Sequence, residues 1–182
     1  MNKEFKVAII YWSKTGNTEK VAFSIQDGLE EAGAKVEIMK VKDAENVDFL
    51  AYDLVCIGTP SYQWCPPQKL EDYLKDKFSY YEDQGYVKLG APKVKGRNVL
   101  LFCTYSGPHT GKNEAIPVLK YIGQFFEHLG FEIVGEWYTL SEFHGKESIN
   151  TQGRMGDIRG LPSEKGLEKI KDKSYKLVNK YN

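Results

Sequence analysis

The sequence predicts an α/β protein, a three-layer α/β/α sandwich in which a five-stranded parallel sheet lies between two layers of helices. Short apolar runs typical of strands alternate along the chain with segments whose apolar residues recur at helical spacing. Connections of helical length between successive strands form right-handed crossovers and leave the strands parallel. With 182 residues and no internal repeat or linker, the chain is predicted to form one domain over residues 1–182.

The first half of the chain contains three predicted strands and two predicted helices. Two of the strands are continuous apolar runs, typical of strands buried on both faces, and the one between them alternates between apolar and polar residues. The first helix is predicted to end at Gly33, and the second opens at Pro66 and Pro67, where a missing N–H loses no hydrogen bond. The strands are predicted over 6–12, 35–41 and 53–58.

The second half adds two strands and two helices. The strands are predicted over 98–104 and 131–138. We expect the helix between them to be capped by Asn113 and to end at Gly130, and the last helix to begin at Ser163. Two longer irregular segments are predicted over 79–97 and 141–162. The buried face of the last helix is predicted to consist of Leu167, Ile170, Leu177 and Tyr181.

Composition excludes several classes of protein. Lys and Arg together number 25, as do Asp and Glu, so the net charge is zero and a nucleic-acid binder held by phosphate attraction is not expected. No apolar stretch reaches the ~20 residues of a membrane helix, and no signal peptide is visible. The cysteines Cys56, Cys65 and Cys103 form no Cys-x-x-Cys motif, which favours free thiols and a cytoplasmic protein. The three histidines stand at no metal-ligand spacing, so we expect no metal site.

The first of three informative loops lies between the first strand and the first helix. It alternates hydroxyl side chains around a glycine, and its backbone N–H groups are expected to point into one concavity at the positive end of the helix dipole. Such a concavity binds phosphate. The alternative is that the cluster only caps the helix. The candidate phosphate-binding residues are Ser13, Lys14, Thr15, Gly16, Asn17 and Thr18.

The second loop follows the third strand. Tyr62 and Trp64 stand there in a short polar segment at the carboxyl edge of the sheet, where a flat heteroaromatic ligand gains ~0.5–1.5 kcal/mol from stacking beyond area burial. The alternative is that both rings pack onto the segment 79–97. The candidate ligand-binding residues of this loop are Pro60, Ser61, Tyr62, Gln63 and Trp64.

The third loop follows the fourth strand and supplies a further aromatic ring, two glycines and several hydrogen-bond donors. Its backbone groups are suited to the polar edge of a ring. His109 either contacts a ligand or a second substrate, or is a solvated loop residue. The candidate ligand-binding residues are Thr104, Tyr105, Ser106, Gly107 and Gly111.

In this order, the three loops resemble those of the flavodoxin family. The Ser-x-Thr-Gly-x-Thr pattern of residues 13–18 is similar to the family's signature for the phosphate of FMN. Residues 58–62 and 104–111 resemble its two flavin-binding loops, and the resemblance covers nearly all of residues 5–138. It implies the strand order 2-1-3-4-5, FMN as the cofactor and electron transfer as the function. No side chain is then needed as a catalytic acid, base or nucleophile.

The sequence departs from the electron-carrier flavodoxins in its neutral charge and in the segments 79–97 and 141–162. In these respects the sequence is closer to the quinone-reductase branch of the superfamily. Residues 110–114 resemble a loop pattern of that branch. Two hypotheses stay open. The chain is either an electron carrier that docks to a redox partner protein, or an oxidoreductase that uses NAD(P)H and a small electron acceptor such as a quinone. A flavin-free interaction module is a distant third.

The segment 141–162 carries Lys146, Arg154 and Arg159 together with repeated glycines. It is expected either to cover the flavin, to contact a second subunit of a homo-oligomer, or to be a plain surface excursion.

Overall fold

A five-stranded parallel sheet forms the centre of the molecule, in a computed structural model that describes residues 4–181. The strands are β1 (Lys6–Tyr11), β2 (Lys35–Lys40), β3 (Leu54–Pro60), β4 (Asn98–Tyr105) and β5 (Glu132–Leu140). The helices are α1 (Asn17–Glu31), α2 (Gln68–Asp83), α3 (Ile116–His128), α4 (Glu147–Gln152) and α5 (Glu164–Tyr181).

The strand order is β2-β1-β3-β4-β5, and every neighbouring pair runs parallel. The predicted fold class and strand order are therefore confirmed. Continuous apolar runs form β1, β3 and β4, which are buried almost throughout. The half-covered strands β2 and β5 form the two edges, as the alternation in β2 predicts.

Each face of the sheet is covered by its own hydrophobic core. Residues of α2 and α3 pack on one face, and residues of α1 and α5 pack on the other. In the core on the α1 and α5 face, two glycines allow neighbouring groups to approach closely. A Cβ at Gly58 would lie 2.1 Å from the Phe102 ring, and a Cβ at Gly28 would lie 2.1 Å from the carbonyl oxygen of Lys171, so α1 and α5 approach closely. Because the strands all run parallel, the carboxyl ends of β1, β3 and β4, which carry the three loops, lie at one edge of the sheet.

The prediction of an irregular segment over 79–97 is wrong at its start, because α2 continues to Asp83. Tyr81 is fully buried, and its hydroxyl accepts a hydrogen bond from the Phe49 amide (2.7 Å) and donates one to Asp48 Oδ1 (2.9 Å). These contacts stabilise the last turn of the helix against the segment between β2 and β3. The chain becomes irregular only after Gly85, which has a φ of 75°.

The predicted cap at Asn113 is also wrong. Residues 111–114 form a 3-10 turn, and α3 begins afterwards at Ile116, with Pro117 in its first turn. The Glu114 carboxylate turns back to accept hydrogen bonds from the amides of His109 and Thr110, so the chain turns once more before the helix starts.

The segment between β5 and α5 contains the short helix α4, which the sequence did not indicate. The last helix begins where predicted, since Ser163 Oγ accepts a hydrogen bond from the Gly166 amide (3.2 Å). Three of the four predicted inner residues pack against the core, and the side chain of Tyr181 lies outside the described residues. Ser174 and Val178 are also fully buried on this helix.

Among the described helices, none combines the length and apolar character needed to cross a membrane. Within residues 4–181, no three His, Cys, Asp or Glu side chains are grouped so that they could bind a metal ion.

Candidate functional site

The loops after β1, β3 and β4 surround a cavity of about 790 Å³ at the carboxyl edge of the sheet. This volume is in the range of small-molecule and cofactor sites. Thirteen of the sixteen candidate residues line it. The other three are glycines that shape the loops: Gly16, Gly107 and Gly111.

The first loop forms a cup at the N-terminus of α1. Gly16, with a φ of 97°, begins the helix and donates its amide to Ser13 Oγ (3.2 Å). The first-turn amides of Asn17 and Thr18 have no acceptor within the helix, and none elsewhere among the described residues. Lys14 lines the cavity and forms no ion pair in the described part of the chain. Free amides, hydroxyls and one ammonium group together favour an anionic ligand.

Glu19 is the one acidic residue in the first turn of α1, and its charge opposes an anion there. Its carboxylate is held by Lys40 Nζ (2.8 Å) and accepts a hydrogen bond from the Tyr11 hydroxyl (2.6 Å). The contact with Lys40 has the larger effect, and together with the hydrogen bond from Tyr11 it lowers the pKa of Glu19 below its ordinary value. The ion pair with Lys40 therefore reduces the repulsion at the cup.

Asn17 connects the first loop to the segment after β5. Its Nδ2 donates to the carbonyl oxygen of Glu142 (2.9 Å). The side chain is buried, with 6% of the residue exposed, yet Oδ1 has no partner. A buried acceptor without a donor is unfavourable, so this oxygen is suited to a hydroxyl of a bound ligand.

Hydrogen bonds join the three loops to one another. The hydroxyls of Thr18 and Thr104 lie 2.8 Å apart, and only one of their two protons is used in that contact. The Ser61 amide donates to the carbonyl oxygen of Thr104 (2.9 Å), and the Ser61 hydroxyl donates to the carbonyl oxygen of Glu114. The Ser61 side chain therefore supports the second and third loops, although it also lines the cavity.

The second loop is a tight turn that exposes two aromatic rings. Tyr62 and Cys65 exchange two backbone hydrogen bonds, of 2.9 and 3.0 Å. Gln63 and Trp64 between them have φ angles of 49° and 67°, in the left-handed region that residues with a Cβ rarely adopt. Trp64 is 61% exposed and Tyr62 is 42% exposed, and Tyr62 packs edge-on against Trp12. Strained turns that hold rings in the open are typical of binding sites.

The third loop is shaped by its two glycines. Gly107 has a φ of 56°, and a Cβ there would lie 2.7 Å from the carbonyl oxygen of Gly111. Gly111, with a φ of 68°, packs under Met155. Tyr105 and Ser106 line the cavity, together with three residues not among the candidates. Those residues are Pro108, Thr110 and Glu114. His109 lines the cavity too.

Residues 141–149, which follow β5 and run into the first turn of α4 and which we call the fourth loop, complete the cavity. Its start is joined to the third loop, because the Ser141 amide donates to the carbonyl oxygen of Tyr105 (2.8 Å). Sequence reasoning considered Lys146, Arg154 and Arg159 of 141–162 as a cover for the flavin, and none of these three lines the cavity. The residues of the fourth loop that line it are Ser141, Glu142, Phe143, His144 and Ile149.

The fold and this site define a class of protein: a doubly wound α/β domain with a cavity, suited to an anionic aromatic ligand, where the strand order reverses. The flavodoxin family model matches residues 9–172. The chain belongs to the flavodoxin family, whose members bind FMN and transfer electrons. The predicted family is thus confirmed, and with it FMN as the cofactor.

Individual relatives agree with this assignment. A flavodoxin of Megasphaera elsdenii is 36% identical over 99 residues, which are 54% of this chain and 64% of that protein. The match therefore spans less than two thirds of that relative's length. An NAD(P)H dehydrogenase (quinone) of Archaeoglobus fulgidus is 24% identical and matches 91% of this chain and 92% of its own length.

A solved structure shows the same fold. Oxidised Flavodoxin 2 from Bacillus cereus superposes with a TM-score of 0.66 at 18% identity, and the match covers 97% of this chain and 99% of that one.

Proposed function

We propose that this chain binds FMN in the cavity and transfers electrons to and from a redox partner protein. The observation that carries the proposal is the cup of the first loop, with its unpaired amides and the orphaned Asn17 Oδ1. Ser13, Thr15 and the helix amides hold the phosphate, and Asn17 Oδ1 accepts from the ribityl chain. The redox chemistry comes from the ring of the cofactor, and the protein supplies binding, orientation and electrostatics.

The rings of the second and third loops bind the flavin. Tyr62, Trp64 and Tyr105 line the cavity, and burial raises the pKa of both tyrosine hydroxyls above the ordinary value. Backbone groups of residues 104–106 meet the polar edge of the ring. Since the redox potential depends on how strongly each oxidation state is bound, these contacts set it.

The experiment that tests this proposal measures FMN binding to the apoprotein of a Thr15→Ala variant. We expect at least a tenfold loss of affinity, since a hydrogen bond to a charged group contributes about 1.5–3 kcal/mol. Thr151→Ala is the matched control, because Thr151 lies outside the cavity and bonds within α4. Unchanged FMN affinity in Thr15→Ala, or release of a flavin other than FMN from the purified protein, would contradict the proposal.

A second candidate function is an FMN-dependent oxidoreductase that uses NAD(P)H and a quinone or similar acceptor. One observation favours it: the match to the quinone dehydrogenase covers 91% of this chain, the segment between β5 and α5 included, whereas the M. elsdenii flavodoxin matches 54%. Stopped-flow mixing of the FMN-loaded protein with NADH and NADPH distinguishes the two. Rapid bleaching of the flavin supports the oxidoreductase. Inertness, with reduction by a ferredoxin-type protein, supports the carrier.

We also place the protein in the cytoplasm. Support comes from cysteine usage, since Cys56, Cys65 and Cys103 are all free thiols, which fits a reducing compartment.

A further inference from the structure

The amino edge of the sheet carries a loop that takes no part in the cavity. Residues 86–97, which we call the amino-edge loop, follow α2 and lead into the start of β4. None of them lines the cavity, which lies at the opposite, carboxyl end of this strand. The eight residues of β4 separate its two ends by roughly 25 Å. A partner bound at the amino-edge loop therefore leaves the cavity free.

The amino-edge loop is anchored to the rest of the molecule near both of its ends. Val87 packs against the core on the α2 and α3 face. The Val94 amide donates to the carbonyl oxygen of Gly130 (2.9 Å), and Arg97 Nη1 donates to the carbonyl oxygen of Leu129 (2.8 Å). These anchors give the chain between them a fixed place on the surface.

Between the anchors, a turn holds a leucine in solvent. The Ala91 amide donates to the carbonyl oxygen of Lys88 (2.9 Å), and Gly90, the third residue of the turn, has a φ of 79°. Leu89, the second residue of the turn, is fully exposed. Two further apolar side chains of the loop are exposed, those of Tyr86 and Val94. The loop thus combines several exposed apolar side chains within a short stretch of chain.

Positive charge is concentrated in this loop, although the whole chain has a net charge of zero. The loop contains no acidic residue and four basic ones, which are Lys88, Lys93, Lys95 and Arg97. Glu127 neutralises part of this charge, since its carboxylate lies 3.9 Å from Lys93 Nζ. Glu132, whose amide donates to the Arg97 carbonyl oxygen, adjoins the loop as well. Within residues 4–181, the ammonium groups of Lys88 and Lys95 form no ion pair, so they are available to an anionic partner.

We propose that the amino-edge loop docks the protein on an anionic lipid surface. Leu89 enters the boundary between headgroups and acyl chains, where burial of an aliphatic side chain is favourable. Lys88 and Lys95 bind the lipid phosphates, and their long side chains keep the charge at the level of the headgroups. This inference goes beyond the proposed function and does not depend on the cofactor, because the loop and the cavity lie at opposite edges of the sheet.

A lipid surface suits the loop better than an acidic protein or a nucleic acid does. A protein interface buries roughly 800 Å² on each partner around a closely packed core. Leu89 instead projects alone from its turn, and a fluid lipid surface adapts to a single projecting side chain. A nucleic acid binds the cations through its phosphates and leaves the exposed leucine in water.

The test is sedimentation of the whole FMN-loaded chain with increasing amounts of lipid vesicles. We expect binding to vesicles of phosphatidylglycerol and phosphatidylcholine in equal parts, and binding at least about tenfold weaker to phosphatidylcholine alone. The double variant Lys88→Gln/Lys95→Gln should weaken binding to the mixed vesicles at least about tenfold. Leu89→Ala should weaken it at least about threefold. Both variants should keep the FMN affinity of the wild type, which shows that they fold.

Matched controls carry the same kinds of change elsewhere on the surface. Lys165→Gln/Lys169→Gln removes two exposed ammonium groups from α5, and Phe23→Ala removes an exposed apolar ring from α1. Both controls should bind the mixed vesicles as the wild type does. An equal loss in the Lys165/Lys169 control would show that overall charge attracts the protein, and it would overturn the docking role of the loop.

Two further outcomes would overturn the proposal. One is the absence of wild-type binding to the mixed vesicles. The other is full binding by Leu89→Ala together with a loss in the lysine variant, because the loop then acts only as a charged surface that fits an acidic macromolecule.

Discussion

At the scale of single residues, side chains at the cavity serve the scaffold and the ligand at the same time. Asn17 binds the fourth loop through Nδ2 and leaves Oδ1 for a ligand. Ser61, which the sequence marks as a ligand contact, uses its hydroxyl to support the third loop. The sequence predicts such residues to be polar and near the site, but which partner each one takes depends on tertiary contacts.

Gln63 offers a test of strain in the second loop. Gln63→Gly should raise the free energy of unfolding by about 0.5–1 kcal/mol, because a left-handed backbone costs a residue with a Cβ roughly 1–2 kcal/mol and the freedom of glycine in the unfolded chain offsets part of this. Urea denaturation measures the change. Gln84→Gly is the control, since Gln84 has an ordinary helical backbone and should lose stability. A lower free energy of unfolding in both variants would contradict the claim that the backbone of Gln63 is strained.

Glu19 offers a test of electrostatics beneath the cup. Its pKa is lowered by Lys40 and Tyr11, so its contribution to stability is present above the unfolded pKa and is lost as pH falls through the folded pKa. Glu19→Gln should therefore destabilise the protein at neutral pH by less than about 1 kcal/mol, because the pair is partly exposed. The difference should shrink as the pH falls below the ordinary pKa of Glu, about 4.3, and vanish once the folded-state carboxyl is protonated. Denaturation of wild type and variant at pH 7 and at low pH measures the difference in their free energies of unfolding. The same difference at both pH values would show that the ion pair does not contribute to stability.

At the scale of elements, the sequence predicts the strands and most helices because their apolar residues recur at the spacing of the buried faces. Apolar runs mark β1, β3 and β4, and hydroxyl and glycine residues mark the first loop. The fourth loop was missed because Phe143 and His144 stand in a polar segment without periodicity, and the loop is held at the cavity by tertiary contacts, such as those of Glu142 with Asn17 and of Phe143 with Asn150. Asn113 has the side chain of a cap, but Gly111 and Glu114 turn the chain before α3 begins.

The extended end of α2 gives a test at this scale. Tyr81→Phe removes the hydroxyl that accepts from the buried Phe49 amide, so we expect the free energy of unfolding to fall by about 1–3 kcal/mol. Thermal and urea denaturation measure the loss. Tyr80→Phe next to it, on an exposed ring, should cause almost no change. Equal effects in the two variants would show that the buried hydroxyl does not stabilise the helix end.

At the scale of the whole molecule, the balanced charge bears on how the protein meets its partner. Lys and Arg equal Asp and Glu in number, and the sequence pI is near 6.8. Long-range steering by net charge is therefore weak. Both hypotheses from the sequence, carrier and oxidoreductase, are compatible with such a surface. Oligomerisation stays a prediction, and light scattering of the FMN-loaded protein measures it.

The absence of a net charge predicts a weak salt dependence. The rate of electron exchange with a ferredoxin-type partner should change less than about threefold between roughly 20 and 200 mM salt, since steering through net charge is what salt screens. Stopped-flow absorbance measures this rate. A drop of about tenfold or more would show that a local charged patch dominates docking.

The central claim is that the first loop binds the phosphate of FMN. Calorimetric titration of the apoprotein with FMN and with riboflavin, which lacks that phosphate, tests it most directly. The account predicts that FMN binds at least about 100-fold more tightly, a difference of roughly 2.7 kcal/mol. Equal affinity for the two flavins would contradict it.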